Sequence, residues 1–484
     1  MLSERLAARE RDGRPIRVGV VGAGRFGTMI ICQLAAMRGM RPSVVADLDV
    51  ARARTALAHG GVTGDRVVEA GRAALANPVI ARGDSVVTAD AAVLVESDVD
   101  VVVDATGSPE AASATAQAAI RRGRHVVMVT VEADVLVGSV LRRAADAAGV
   151  VYSAAYGDQP ALIYELYDWA TALGLEVVAA GKGTKYLPAY RKGVPDDIWE
   201  RYGMPGHANA GLNPKMYNSF MDGTKSAIEM AAVANMTGLH PDIRGMHFPP
   251  VGTDRLPEVL KPKEDGGILG RSGVVEVVSS IDRDGQPVPN DLRWGVYVVF
   301  TSPRPYVRGA FRDYGLSVDG TGRYASFYRP YHLVGLELPI SAARAVLDGA
   351  PTGTPRPVPC AAVVSAAKRA LRPGDVLDGE GGSTVYGLAD DAVAASRERL
   401  LPIGLSHGAR VVRAVPEDGL VHLDDVALDT SAPLYRLWEE QQRLLDGSGE
   451  EMEPRRPETN PRHPDRRLSD RRRSDRRRSN RRKA

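Results

Sequence analysis

Disulfide chemistry is the first thing this chain lacks. Two cysteines in 484 residues, Cys32 and Cys360, build no framework of bridges, and no Cys/His cluster has zinc spacing. No apolar run approaches the roughly 20 residues needed to span a bilayer. The opening stretch "MLSERLAARERDGRP" is charged throughout and has no apolar core of the signal-peptide kind. These absences lead us to expect a reducing cytoplasm and no membrane partner. Aromatic residues are scarce too, at 5%. Charge looks balanced at +2, but the balance is a cancellation. From Arg455 onward 14 Lys/Arg face 4 Asp/Glu, so the rest of the chain is acidic. The end, "DRRLSDRRRSDRRRSNRRKA", has almost nothing apolar to bury, and residues 449–484 read as a disordered basic tail. Without aromatics for base stacking, it reads as a solvated, weakly interacting tail, with non-specific electrostatic contacts to nucleic acid or anionic lipid as the competing reading.

What is present is an ordinary globular composition, 44% hydrophobic and 25% charged, over a length sufficient for several domains. "PIRVGVVGAGRFGTMIICQLAAM" is an apolar strand, a glycine turn and a helix. "SVVADLDVARARTAL" and "DVDVVVDATGSPEAASATAQAAIRRGRHVVMVT" continue the alternation. Such alternation predicts a parallel, doubly wound α/β sheet over residues 15–150. Residues 60 to 90 are less regular and read as an insertion before a further strand. From 151 to 350, longer helices mix with β-like stretches such as "RWGVYVVFTS", which predicts an α+β domain. Residues 355–445 hold short strands and turns, and predict a small β-rich domain.

Gly22-Ala23-Gly24-Arg25-Phe26-Gly27 matches G-x-G-x-x-G. The first glycine permits the tight turn, the second lets backbone approach a pyrophosphate, and the third lets helix and strand pack. It follows a strand, opens a helix, and has Asp47 at the end of the next strand, the context the dinucleotide motif requires. A glycine-rich turn binding nothing is the competing reading. Asp47 suits a ribose diol, which leans toward NAD over NADP. Arg52 and Arg54 behind it suit either a 2′-phosphate or a solvated helix face. "DATG" places Thr106 and Gly107 at a strand end on the nicotinamide side, unless it is a plain strand-to-helix turn.

"NPKMYNSFMDGTKSAIEMAAVANMTGL", Asn213 to Leu239, reads as one long helix, apolar nearly all round. It carries Asp222, Lys225 and Glu229. At about 100° per residue, Asp222 and Glu229 fall within roughly 20° of each other, with Lys225 near. Two readings are open. Ser219 and Asp222 fit a capping box, with Lys225–Glu229 an idle surface pair. Alternatively, the stripe faces a reaction site, where the Lys225 ammonium stabilises developing negative charge or donates a proton, and Asp222 and Glu229 aim it. Lys182 and Lys185 in "GKGTKY" suit a substrate phosphate or carboxylate, or a solvated turn. His332, Asp158 and Glu132 are further polar candidates. No carboxylate grouping has metal geometry, so no metal is expected.

Several of these stretches carry a resemblance. "VGVVGAGRFGTMIICQLAAMRGM", "YGDQPALIYELYDWA", "AAGKGTKYLPAYRKGVPDDIW", "NPKMYNSFMDGTKSAIEMAAVAN" and "RPYHLVGLE" are similar to the deoxyxylulose-phosphate-reductoisomerase-like oxidoreductases, relatives of homoserine dehydrogenase. "AAKRALRPGDVLDGEGGSTVYG" and "LPIGLSHGARVV" resemble the SAF (β-clip) domain that ends those proteins. The resemblance implies a Rossmann domain, a catalytic and dimerisation domain and a SAF domain, assembled as a homodimer. It also implies NAD(P)H-dependent reduction of a small polar carbonyl, with Asp222, Lys225 and Glu229 in substrate binding and proton transfer. The chain reads Val129-Thr130-Val131-Glu132 where homoserine dehydrogenases have Asn-Lys, which argues against homoserine as substrate. True reductoisomerase activity and a non-catalytic dinucleotide-binding sensor or scaffold are the alternatives.

Overall fold

The structure is a computed structural model that describes residues 1–204 and 212–446. The expected disordered tail, 449–484, lies outside these residues. Seven strands form the first sheet: β1 (Ile16–Val21), β2 (Met40–Ala46), β3 (Val67–Glu69), β4 (Ser85–Thr88), β5 (Val101–Asp104), β6 (His125–Met128) and β7 (Tyr152–Ala154). Their order is β3-β4-β2-β1-β5-β6-β7, and every ladder is parallel. β4 and β5 are buried along their whole length, as near-continuous valine runs require in a sheet covered on both faces. This is a Rossmann-like sheet. β1 sends one connection to β2 and has β5 on its other side, so a crevice opens past the carboxyl ends of β1 and β5.

One expectation is corrected here. The stretch from 60 to 90 is no insertion, because β4 pairs with β2 and carries β3 on its outer edge. β3 has only three residues and the helix between the two strands, Ala73–Ala81, contains Pro78. Short elements of that kind leave a weak periodic signal.

A mixed sheet follows, built from β8 (Glu176–Thr184), β9 (His240–Pro241), β10 (Val274–Ser279), β11 (Val296–Thr301), β12 (Ser317–Val318) and β13 (Tyr324–Arg329). The order is β12-β13-β11-β8-β10-β9, with β8, β9 and β10 mutually parallel where paired and β11 antiparallel to both neighbours. Further on, β14 (Ala361–Ala367) and β15 (Val385–Asp391) form an antiparallel pair. One apolar core joins these parts. It contains Val131 and Val135 beneath the first sheet, Ala231 and Val233 of the helix Thr224–Thr237, Val275 of β10, Val298 of β11, Val363 of β14 and Ala389 of β15. Among the described residues no helix is long and apolar enough to cross a membrane.

The single helix expected over Asn213–Leu239 is two helices, Pro214–Met221 and Thr224–Thr237. Gly223 between them has φ 89°, and a Cβ there would lie 3.2 Å from the Tyr186 ring. Asp222 ends the first helix, and its Oδ1 accepts from the Thr224 N–H at 2.8 Å. The capping box is thereby excluded, since Ser219 donates to the Met216 carbonyl and Gly223 is the N-cap of the second helix.

Asp134, buried in the helix Val131–Ala148, accepts from the Tyr152 hydroxyl at 2.9 Å. Burial raises its pKa from 3.8 to about 6, with the Tyr152 bond working the other way. The folded state therefore keeps a proton that the unfolded chain has already released between those values. Stability falls as pH rises through that window, by roughly 3 kcal/mol in all. Asp134→Asn should flatten the plot of Tm against pH between about 4 and about 6. An unchanged slope would remove Asp134 as its source.

Candidate active site

At the mouth of the crevice the glycine turn leads into the helix Arg25–Ala36. A Cβ on Gly27 would stand 1.9 Å from the Gly22 carbonyl oxygen, so only glycine lets the helix start this close to the strand. A Cβ on Gly24 would meet nothing within 4 Å. Gly24 is also the N-cap and has no side chain with which to cap, which leaves first-turn N–H groups for an anion. Asp47 binds the turn itself: its Oδ2 accepts from Ala23 N–H at 2.8 Å and its Oδ1 from Asp49 N–H at 2.9 Å. Arg52 Nη1 lies 3.8 Å from Asp47 Oδ1. On the far side, the buried Asp104 at the end of β5 accepts from the hydroxyls of Thr130 (2.7 Å) and Thr106 (2.9 Å), and Gly107 N–H donates to Thr130 Oγ1 (3.1 Å). The "DATG" turn is thus a hydrogen-bonded cradle. The open face of Gly24 and the uncapped helix start fit the pyrophosphate of a dinucleotide, whereas the Asp47 carboxylate is nearly buried and bonded to the turn.

A single cleft of about 1490 Å³ begins at Gly24, Arg25 and Phe26, passes Thr106 and Gly107, and reaches Lys225, Glu229, Lys185 and His332. It runs on to the C-terminal helix Pro433–Asp446. Gly22 and Gly27 form the inner side of the turn and do not line it. Lys225 enters the cleft from the first turn of its helix and pairs with Glu132, itself in the first turn of the helix Val131–Ala148. Desolvation opposes the Lys225 charge, but Glu132, Glu380, Glu229 and Asp158 outweigh it, and the ammonium pKa is raised well above the ordinary lysine value.

The charged stripe does not form as the spacing implies. Glu229 pairs with Lys182 of β8, both nearly solvent-free, so Lys182 is neutralised and cannot serve as a free anion holder. The Lys225–Glu229 surface pair is therefore not made. Asp222, turned away by the break at Gly223, pairs with Lys368 at 2.7 Å, both within 2% of full burial. It does not aim Lys225. Lys185 lines the cleft and makes no ion pair among the described residues; burial, then the nearby Arg293, lowers its pKa. His332 Nδ1 lies 2.7 Å from the Trp294 carbonyl.

The carboxyl groups that do surround Lys225 come from four separate parts of the chain. Besides Glu132 and Glu229 they include Asp158, whose pKa is raised by burial and by Glu229 against the pull of Lys225 and His332. The fourth is Glu380, from the turn between β14 and β15, which reading the sequence missed. Burial, then Glu132, pushes Glu380 up to about 8, against the pull of Lys225. Its one local signal is the setting "DGEGGS", an acid flanked by glycines much as Lys182 is in "GKGTK". No group of three or more His, Cys, Asp or Glu side chains placed to hold a metal ion occurs among the described residues.

Residues 22–154 match the family described as the NAD binding domain of homoserine dehydrogenase, and residues 157–338 match the catalytic domain of oxidoreductase DRL. No curated protein matches significantly. Among solved structures, a probable dehydrogenase from Thermotoga maritima is 13% identical, with a TM-score of 0.37, over 69% of this chain and 90% of that one. A putative myo-inositol dehydrogenase from Sinorhizobium meliloti 1021 is 12% identical over the same shares, also at 0.37. A scyllo-inositol dehydrogenase from Lactobacillus casei, solved with NAD(H) and scyllo-inositol, is 12% identical at 0.32, over 60% of this chain and 74% of that one. With both family matches in chain order on one cleft, the chain is an NAD(P)-dependent oxidoreductase.

Lys368→Met leaves Asp222 buried and unpaired. It should lower unfolding stability by about 3–5 kcal/mol in urea titration. NADH binding, followed by the cofactor's fluorescence, should persist, because neither residue lines the dinucleotide end of the cleft. Stability within about 0.5 kcal/mol of the parent would show that the pair is dispensable.

Proposed function

For this oxidoreductase we propose reduction of the carbonyl of a small polar substrate, with or without a phosphate, and the reverse oxidation of the corresponding alcohol. The observation that carries the reading is the position of Lys225, on the cleft beyond "DATG" with an acidic partner from another element. When bound, the reduced dinucleotide supplies a hydride to the carbonyl carbon. Gly24, Arg25 and Phe26 would hold its pyrophosphate on a turn that Gly22 and Gly27 shape, Asp47 would accept from its adenosine ribose, and Thr106 and Gly107 would flank its nicotinamide half. The Lys225 ammonium sits where charge develops on the substrate oxygen, and a preorganised cation in a dry site stabilises that charge. Glu132 orients the ammonium, and Glu229 adds field through its pair with Lys182. Lys185, with no acid to neutralise it, holds an anionic group of the substrate.

Asp47 is engaged by two N–H groups and retains lone pairs for a ribose diol, which favours NAD. Arg52 beside it supplies a cation for a 2′-phosphate, so the preference is weak. The division proposed is 15–150 for the dinucleotide, 151–350 for catalysis and dimerisation, and 355–445 as a SAF-like domain. A homodimer in a reducing cytoplasm completes the proposal.

A screen of carbonyl compounds and sugar phosphates, deoxyxylulose phosphate included, with NADH and NADPH, should return turnover as loss of reduced-nicotinamide absorbance. Lys225→Met should lower kcat roughly 100-fold or more with dinucleotide affinity nearly unchanged. Undiminished turnover in that variant would remove Lys225 from the reaction.

A further inference from the structure

Two ammonium groups, Lys182 and Lys225, lie among four carboxyl groups, Glu132, Asp158, Glu229 and Glu380. Glu132 and Glu229 are matched. Glu380 is one of the two in excess, and it arrives from far along the chain on a turn that is fastened from both ends. Lys368 Nζ donates to the Gly382 carbonyl at 2.6 Å and the Gly193 carbonyl at 2.8 Å, in addition to Asp222. Asn218 Nδ2 donates to the Gly381 carbonyl at 2.9 Å. Lys215 Nζ donates to the Asp378 carbonyl at 2.9 Å, and the Asp378 carboxylate accepts from the Ser383 and Thr384 N–H groups at 2.6 and 3.0 Å. A turn held this way fixes where Glu380, beside Asp378, meets the cleft.

We propose that Glu380 is the acid that protonates the substrate oxygen, so that the segment after residue 355 is a working part of the reaction site. The inference rests on the carbonyl reduction proposed above. Lys225 is ill-suited to give up a proton, because its ion-pair partner Glu132, with Glu229 behind it, holds its charge. An efficient proton donor has a pKa near the working pH, and Glu380 stands at about 8. The groups facing it are Glu132, Lys225, Ser219 and Asp222, with Lys215, Asp378 and His407 about its turn. In the step, the carbonyl carbon takes up the hydride and the C=O π pair forms the new O–H bond with the Glu380 proton. The carbonyl is reduced to the alcohol and the reduced nicotinamide is oxidised. Glu380 is left as a carboxylate beside Lys225, and solvent restores its proton. Reduction therefore slows as pH rises through about 8, and alcohol oxidation speeds up over the same range.

Full-length Glu380→Gln and Glu380→Asp test this, with Tm and NADH binding measured alongside. Infrared difference titration of the protein alone should show, among the carboxylic-acid bands of the parent, one lost with a midpoint at about 8. The band should be missing in the Gln variant and present in the Asp variant. On whichever carbonyl compound the screen returns, Glu380→Gln should lower kcat about 100-fold with little change in KM, and should abolish the pH limb. Glu380→Asp should retain the limb, and it decides the matter if the Gln variant does not fold. Survival in Glu380→Gln of the band that titrates at about 8, or parental turnover with the parental pH profile, overturns the proposal. Loss of NADH binding in the parent would instead sink the oxidoreductase reading and leave the Glu380 titration standing.

Discussion

At Gly223 the backbone turns left-handed, a conformation that favours glycine, and the Tyr186 ring crowds the place a side chain would take. Much of the site depends on that one turn. A continuous helix would set Asp222 on the same line as Lys225 and Glu229, and three charges would share one narrow face. The break swings Asp222 toward Lys368 and lets Lys225 begin a new helix at the edge of the cleft. It also brings Thr224 Oγ1 against the Gly387 N–H at 2.8 Å, which ties the second helix to β15.

Charge in this region follows from desolvation. A buried ion persists where a counter-charge and hydrogen bonds offset the loss of water. Lys182 meets Glu229, Lys368 meets Asp222, and Lys225 meets Glu132, each across elements distant in sequence. Of these, Lys182–Glu229 and Lys368–Asp222 are closed and serve as struts. Lys225–Glu132 is open to the cleft, and it lies beside two carboxyl groups with raised pKa values. Groups displaced from their ordinary pKa by neighbours and burial mark reaction sites more often than chance, and here they coincide with the cleft that begins at the glycine turn.

The dinucleotide half was largely readable from the residues because its logic is local. The strand, the G-x-G-x-x-G turn, the helix and Asp47 are close in sequence, and each obeys a short-range rule. The residues from 60 to 90 were misread because three- and four-residue strands leave too little periodicity to distinguish from loop. The charged stripe was misread for another reason. Helical spacing assumes an unbroken helix, and a glycine within one is compatible with either outcome.

From the sequence alone came the parallel α/β domain, the mixed domain after it, the glycine turn and the suspicion that Lys225 matters. Periodicity and motif spacing carry that information because neighbouring residues share one helix or strand. Which carboxylate meets which ammonium was decided by the tertiary structure. Glu132, Glu229, Asp158 and Glu380 stand on separate elements, and only packing around one apolar core brings them together. Electrostatic pairing acts through space over a few ångströms, and no local pattern records a neighbour 93 or 146 residues away.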